Sequence, residues 1–172
     1  IHGTLSVEAP YMVNKFRVET TEDMASIVKE LTEKYEYNVA VFAAAPADYK
    51  PLTPSAQKIS SKSNLKLIVE LTTTPKIVKL IAKRPRILVG FAAETVSGDD
   101  LVMKAYEKIS EYGFDLVVAN NVLSEQGGFG KYFLDAVIVE KSRGVLEKGL
   151  LLKYNIARKI LDYASKILRS TM

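Results

Sequence analysis

A patch of small residues followed by one acidic residue is the part of the chain best suited to bind a ligand. Three consecutive alanines end an apolar run, and the acidic residue follows three positions after them. Small side chains let a ligand approach the backbone closely, and a neighbouring carboxylate offers a fixed polar contact. A tightly packed strand end with an exposed turn aspartate would give the same pattern. The patch consists of Ala43, Ala44, Ala45 and Asp48.

A polar segment with several lysines follows the patch and offers cations for phosphate chemistry. Residues 49–64 carry Lys50, Lys58 and Lys62. A loop of this length in a compact domain often covers a bound ligand. A lysine that neutralises developing phosphate charge increases a transfer rate by about two to three orders of magnitude. Solvent-facing lysines on a surface loop are the alternative interpretation.

The composition excludes several classes of function. The chain has 172 residues and no cysteine, which rules out a cysteine nucleophile, and its only histidine is His2, which argues against histidine catalysis and multi-histidine metal sites. The basic residues that give a net charge of +4 are dispersed, so we expect no nucleic-acid partner. No apolar run has the length of a membrane span, and we expect a cytoplasmic protein without a membrane partner. A glycine fingerprint for NAD or FAD is also missing, which disfavours a dinucleotide oxidoreductase.

Strand-like and helix-like patterns alternate along the chain, which is typical of a parallel α/β fold in a single domain over residues 1–172. Short apolar runs predict buried strands at 38–43, 87–91 and 116–119. Capping signals and helical spacing predict helices at 21–35, 75–83 and 99–112. The remaining predictions are an edge or hairpin strand at 65–71, a strand at 133–139 and a helix at 151–168.

The predicted last helix has an apolar side and a basic side. Its apolar side carries Ile156, Ile160, Ala164 and Ile167. We predict that its basic residues form a solvated face, and these are Lys153, Arg158, Lys159, Lys166 and Arg169.

Polar or small residues follow each of the three predicted buried strands. Asp48 follows the first strand, Phe91 and Glu94 lie at the end of the second, and Asn120 and Asn121 follow the third. Ligands of open parallel sheets bind at the carboxyl ends of the strands. The coincidence of these motifs predicts a ligand site at that edge.

These motifs occur in an order that resembles a known family. The matching stretches are residues 44–51, 58–59, 74–77, 89–95, 115–122 and 128–130. Together they resemble phosphopantothenoylcysteine synthetase, the ligase of coenzyme A biosynthesis that is often fused behind a flavin-dependent decarboxylase. The resemblance covers most of the chain.

The resemblance implies a Rossmann-like three-layer fold, with a mostly parallel sheet and an additional antiparallel strand or hairpin. It also implies a CTP-dependent ligase that activates 4'-phosphopantothenate as an acyl-cytidylate and condenses it with L-cysteine. Mg²⁺ would accompany the nucleotide, FMN would belong only to a fused decarboxylase domain outside this chain, and the enzyme would be a homodimer. A non-catalytic nucleotide-binding or dimerisation fragment is the alternative, and the choice between CTP and ATP stays open.

The resemblance also implies roles for individual residues. Lys58 would be the catalytic lysine. From its chemistry, Glu94 could bind Mg²⁺ or cap the next helix, and we favour the cap or a supporting role because one carboxylate is a poor metal site. The metal ligands are not assigned. Thr73 and Thr74 would lie at a helix start, as nucleotide contacts or as a helix cap. The implied nucleotide-binding residues are Ala43, Ala44, Ala45, Asp48, Lys58, Thr73, Thr74, Phe91 and Lys108, and the implied substrate-binding residues are Ala44, Ala45, Asp48 and Asn120.

The chain departs from the family pattern at five places, two of which are Tyr112, near a second family lysine, and Asn121, where the family usually has aspartate. Ser60 and Ser61 stand where the family has two lysines, with Lys62 one position later. After Gly130, Lys131-Tyr132-Phe133-Leu134 stands where the family has the polar Ser-Asp-x-Asn. The glycine-rich segments at the start of the family pattern would precede Ile1. The resemblance therefore implies an N-terminally truncated domain, which we expect to keep much of the nucleotide pocket and to lose activity.

Overall fold

A computed structural model describes residues 1–5, 8, 10–60, 66–128 and 130–170. The described helices are α1 (Thr21–Lys34), α2 (Gly98–Tyr112) and α3 (Lys153–Ser170), with a short 3-10 helix at Ile77–Leu80. The described strands are β1 (Val39–Phe42), β2 (Tyr49–Pro51), β3 (Leu71–Thr73), β4 (Ile87–Glu94), β5 (Leu116–Asn121), β6 (Phe133–Glu140) and β7 (Gly144–Leu152). Ser61, Lys62 and Phe129, which carry sequence predictions, lie outside the described residues. No helix in the described part is long and apolar enough to cross a bilayer.

The chain forms two compact units. Unit 1 comprises residues 1–31 and 45–81, and unit 2 comprises residues 32–44 and 82–172. A compact unit and a functional domain need not coincide, so the single ligase-type domain over residues 1–172 stays a prediction.

Unit 2 is built on a five-stranded sheet with the order β1-β4-β5-β6-β7. β1, β4 and β5 are parallel neighbours, whereas β6 is antiparallel to both β5 and β7. All strands except β6 therefore point the same way. With helices on both faces, this arrangement confirms the expected Rossmann-like three-layer α/β fold and its additional antiparallel strand.

The two helices of unit 2 cover opposite faces of the sheet. Because side chains alternate between the faces of a strand, each strand contributes every second residue to one helix. The face under α3 includes Val89, Val118 and Ile138, which pack in one core cluster with Ile156 and Ile160 of that helix. The other face lies under α2, which contacts β4, β5 and β6 through Leu101, Ala105 and Ile109. Both faces of the central strands are thus buried, as their continuous apolarity predicts.

The predicted ends of α1 and α2 are confirmed. Thr20 Oγ1 accepts a hydrogen bond from the N–H of Asp23 at 3.0 Å, and Asp23 Oδ2 accepts one from the N–H of Thr20 at 2.9 Å. This reciprocal pair caps the start of α1. α2 ends at Gly113, whose φ of 70° places it in the left-handed region and whose N–H donates to Ile109 O.

Unit 1 contains an antiparallel two-stranded sheet of β2 and β3. Only Leu71 of the strand predicted at 65–71 lies in β3, and Leu65 lies outside the described residues. The predicted helix at 75–83 is wrong, because only the 3-10 helix Ile77–Leu80 forms there. The backbone is extended at Lys76 and again at Ile81, and no side chain caps the turn. A helix of nine residues has little stability of its own and needs packing against other elements to form. Helical spacing in the sequence therefore does not suffice to predict one here.

The C-terminal part contains a strand that the sequence patterns did not predict. β7 occupies Gly144–Leu152 and pairs with β6, with a register shift at Ile138 and Val139. The last helix therefore begins at Lys153 and not at Leu151. Its predicted apolar side is confirmed, since Ile156, Ile160 and Ala164 are buried and Ile167 packs against them.

Candidate ligand site

Unit 2 contains a cavity of about 470 Å³ that reaches the carboxyl ends of its parallel strands. One wall is formed by β1, β4, β5 and β6, and the other by α3. Described acidic side chains are absent from its lining. The lining residues are Val41, Ala43, Phe91, Asn120, Gly128, Leu134, Lys153, Ile156, Ala157, Ile160 and Leu161.

Three residues predicted for the site line this one cavity, and each comes from a different strand. Ala43 directly follows β1, Phe91 lies in β4 opposite Val118, and Asn120 lies in β5. Phe91 packs against the core beneath α3, which places its ring on the cavity side of the sheet. Parallel pairing of β1, β4 and β5 brings these positions to the same edge. Their binding roles stay predictions.

Asn120 is the buried polar group of the cavity. The residue is 9% exposed, and its side chain has no hydrogen-bond partner among the described residues. Asn121 behaves differently, because its Oδ1 accepts a hydrogen bond from the N–H of Leu123 at 2.9 Å and shapes the turn after β5. Burying an amide without a partner costs free energy. Asn120 lies on the same face of β5 as Val118 and lines the cavity, so it is the asparagine that suits a ligand.

Lys153 is a cavity residue that the sequence patterns placed on a solvated helix face. It is half-buried, and its Nζ donates to Gly128 O at 3.0 Å. The prediction is wrong for Lys153. The Lys159 side chain stays 37% exposed, and its ammonium donates to Glu147 of β7. One signal could have identified Lys153: a cation at a helix N-terminus opposes the helix dipole, so such a residue needs another reason to be there.

The loop between β5 and β6 closes the cavity beside Lys153, and it requires two glycines. A Cβ on Gly127 would lie 2.5 Å from the backbone nitrogen of Asp135, which cannot move aside. Gly128 has a φ of 133° and donates its N–H to Phe133 O at 3.0 Å. This explains part of the glycine motif physically. The Phe129 position of that motif lies outside the described residues.

Unit 1 carries the predicted residues Ala45, Asp48, Thr73 and Thr74. Asp48 Oδ1 accepts a hydrogen bond from Lys76 Nζ at 2.6 Å, and Asp48 O accepts one from the N–H of Thr74 at 2.9 Å. Thr74 Oγ1 donates to Ala47 O. Thr73 lies in β3 and neither threonine begins an α-helix, so the expected helix start is wrong. Any nucleotide contact they make cannot draw on a helix dipole.

The two predicted lysines are placed in different units. Lys58 is exposed in the segment of unit 1 that follows β2. Lys108 belongs to α2 of unit 2, where its Nζ lies 3.7 Å from Glu111 Oε2 and 5.7 Å from the Tyr112 ring centre. It lies ten positions after Gly98, the first residue of α2, which corresponds to about 15 Å along the helix away from the carboxyl edge of the sheet. Lys108 is not among the residues that line the cavity.

Lys50, the first lysine of the polar segment, makes an ion pair with Glu22. The ammonium of Lys50 donates to Glu22 within unit 1, and this hydrogen bond holds the pKa of the Glu22 carboxyl below its usual value.

No group of three or more histidine, aspartate or glutamate side chains that could hold a metal ion occurs among the described residues. The described side chains therefore do not fit a metal held by the protein alone, and Mg²⁺ stays a prediction tied to nucleotide phosphates.

Comparison with known proteins gives the family. The profile of the DNA/pantothenate metabolism flavoprotein C-terminal domain matches residues 1–168. The chain belongs to this family. A coenzyme A biosynthesis bifunctional protein CoaBC from Thermococcus kodakarensis is 33% identical over 170 residues, which are 96% of this chain. The chain spans 40% of that relative's length.

Two solved structures share the fold of this chain. The C-terminal domain of a coenzyme A biosynthesis bifunctional protein CoaBC superposes with a TM-score of 0.72 at 26% identity, over 98% of this chain and 72% of that one. A Cab2 variant in complex with phosphopantothenate-cysteine superposes with a TM-score of 0.57 at 20% identity, over 87% of this chain and 51% of that one. At this identity the second likeness shows the fold alone.

Proposed function

We propose that the chain is the ligase part of a coenzyme A biosynthesis protein and forms phosphopantothenoylcysteine from 4'-phosphopantothenate and L-cysteine. One observation carries the proposal: Ala43, Phe91 and Asn120, which the sequence motifs single out, line the same cavity at the carboxyl edge of the unit 2 sheet. The CoaBC relative that matches 96% of the chain supports the same reaction class.

The proposed reaction has two steps, activation of the carboxylate and formation of the amide. The carboxylate of 4'-phosphopantothenate attacks the α-phosphorus of CTP, which forms an acyl-cytidylate and releases pyrophosphate. The amine of cysteine then attacks the acyl carbon, loses a proton, and expels CMP as the amide forms. Negative charge accumulates on phosphate oxygens in the first step, and a lysine ammonium stabilises it. Lys58 is our assignment for that cation.

The described residues of the cavity suit parts of these substrates. Phe91 offers an aromatic face for a nucleobase or an apolar group. The small side chain of Ala43 leaves the backbone accessible at the strand end. Asn120 supplies an amide that can donate and accept hydrogen bonds with an acyl or ribose group. A cavity that is mostly apolar with a few polar groups is typical of small-molecule sites.

The test is pyrophosphate release by the chain when it is incubated with CTP, Mg²⁺ and 4'-phosphopantothenate, with cysteine omitted. We expect release that depends on all three components when the chain is joined to the glycine-rich segments that begin the family pattern, and little release without them. In the joined form, Lys58→Gln should reduce release by about 10²- to 10³-fold. Lys66→Gln is the matched control because Lys66 is also an exposed lysine of unit 1 between β2 and β3. ATP in place of CTP tests the nucleotide preference.

Binding measurements separate the ligase from the alternative function. Calorimetry with CTP and with 4'-phosphopantothenate should show that each binds. Nucleotide binding without pyrophosphate release in the joined form would favour a non-catalytic nucleotide-binding or dimerisation module. Binding of neither compound would contradict both. Sedimentation analysis tests the proposed homodimer, and fractionation of the source cells tests the proposed cytoplasmic location.

A further inference from the structure

Lys153 forms the positively charged end of the unit 2 cavity. Its backbone N–H donates to Tyr132 O at 2.9 Å, and its Nζ donates to Gly128 O at 3.0 Å. The first bond holds the backbone of Lys153, and the second holds its ammonium at the wall of the cavity. An ammonium group has three donors, and Gly128 O is its only acceptor in the described part of the chain. Two donors of Lys153 are therefore available to a ligand.

The cavity changes from polar to apolar along α3. This helix starts at the carboxyl edge of the sheet, because β7 runs in the direction of β5 and α3 follows it directly. Lys153, Gly128 and Asn120 lie at that edge, whereas Ile160 and Leu161 lie about two turns further, at a distance of about 12 Å along the helix. The shape suits an elongated molecule with one polar end.

The polar end attracts anions. Described acidic residues do not line the cavity, so the Lys153 charge is not neutralised there. The N-terminus of α3 adds a partial positive charge. Asn120 is a second and independent sign of a ligand, since the residue is 9% exposed, lines the cavity, and its side chain has no partner among the described residues. Charge attraction is stronger beside apolar walls than in water.

We infer that Lys153 is a specificity-determining residue of the cavity: its ammonium binds an anionic oxygen of the acyl substrate, Asn120 hydrogen-bonds to an adjacent polar group, and the apolar body lies along α3. The inference rests on the proposed function for the identity of the ligand. The anionic oxygen has two possible sources in that reaction, the acyl substrate and the nucleotide phosphates. The apolar walls beyond Lys153 favour the acyl substrate.

The test compares charged and neutral probes. Calorimetry measures the binding of pantothenate, of 4'-phosphopantothenate and of panthenol, the neutral alcohol that lacks the carboxylate, with CTP as a separate arm. We expect Lys153→Met to lower the affinity for the anionic acyl probes by about tenfold to a hundredfold, because a hydrogen bond to a charged group is lost. Panthenol binding should stay unchanged, and Lys153→Arg should restore most of the lost affinity.

Controls separate this role from a structural one. Lys159→Met removes another α3 lysine that makes a contact, the one to Glu147, and it should leave the selectivity for anionic probes unchanged. Thermal melting shows whether each variant folds. A variant that loses charged and neutral probes equally would show that Lys153 only holds Gly128, and this result would overturn the inference. Unchanged binding of every anionic probe would overturn it as well.

The outcome can be told apart from failure of the proposed function. Loss of CTP binding alone in Lys153→Met would retain the anion contact and assign it to the nucleotide. Wild-type chain that releases no pyrophosphate in the joined form but prefers pantothenate over panthenol through Lys153 contradicts the ligase and supports the cavity assignment. Normal pyrophosphate release at normal KM in Lys153→Met supports the ligase and contradicts the assignment.

Discussion

Lys76 Nζ lies 2.6 Å from Asp48 Oδ1 in unit 1, and the two side chains are 50% and 64% exposed. The N–H of Thr74 also donates to Asp48 O, so the segment after β3 holds both the backbone and the carboxylate of this residue. The ammonium orients the carboxylate and offsets its charge. We expect Asp48 to lie beside a nucleoside triphosphate. A fixed carboxylate whose charge is offset repels the phosphates less, so both effects of Lys76 favour binding of the nucleotide.

We predict that Lys76→Met weakens CTP binding by about twofold to fivefold, the range of an exposed ion pair. The loss should shrink as salt is raised, because exposed charges are screened. Calorimetry at low and high ionic strength measures both effects. Lys15→Met, which changes another exposed lysine of unit 1, should leave CTP affinity unchanged. Equal losses in the two variants would mean that only net charge matters.

Asp115 connects the starts of β4 and β5 in unit 2. Its Oδ2 accepts hydrogen bonds from the N–H of Leu88 at 2.8 Å and from Arg84 Nη2 at 3.0 Å. We predict that Asp115→Ala lowers the free energy of unfolding by about 1–3 kcal/mol, because it leaves a buried backbone donor without its acceptor. Arg84→Met should cost less, at about 0–1 kcal/mol, since this partner is half exposed. Urea denaturation measures both, and equal costs would contradict the dominant role of the Leu88 bond.

Residues whose placement follows from strand periodicity could be predicted from the sequence. Ala43, Phe91 and Asn120 come at the ends of apolar runs of strand length, and parallel strands end at a common edge. Their convergence on one cavity follows from these two facts. Buried strands of this kind have few alternatives, because a helix with the same residues would expose apolar surface.

Other elements depend on contacts that the local sequence does not reveal. β7 has glycines at both 144 and 149 and charged residues between them. It forms a strand because its backbone hydrogen-bonds to the edge of β6 that β5 does not occupy. The segment after Pro75 has helical spacing but too few residues to form a helix without packing. Lys153 could not be assigned to a cavity before the β5–β6 loop was placed, since its acceptor Gly128 is 25 residues away in sequence.

Gly90 is required by the packing of Phe114 against β4. A Cβ at this position would lie 2.5 Å from Phe114 Cζ. We predict that Gly90→Ala lowers the free energy of unfolding by about 1–3 kcal/mol, the usual cost of overpacking a core. Phe114→Leu should reduce this penalty in the double variant, which a double-mutant cycle in urea would reveal. Gly3→Ala is the control, because its Cβ would lie 3.9 Å from its nearest neighbour. A penalty of the same size at Gly3 would point to a general effect of glycine replacement.

The start of α1 should respond to acid through Asp23. Hydrogen bonds from the Thr20 hydroxyl and from the backbone N–H groups of Thr20 and Glu19 hold the pKa of the Asp23 carboxyl below its usual value of 3.8. A carboxyl with a lowered pKa in the folded state stabilises that state fully above its usual pKa, and this contribution disappears as the pH falls through the folded-state value. Asp23→Asn should therefore destabilise the protein at pH 7 but not at pH 2, as measured by urea midpoints of the two proteins at each pH. Asp162→Asn, which alters an exposed acid of α3, is the control and should show no comparable difference. A destabilisation by Asp23→Asn that is the same at both pH values would show that the cap acts without its charge.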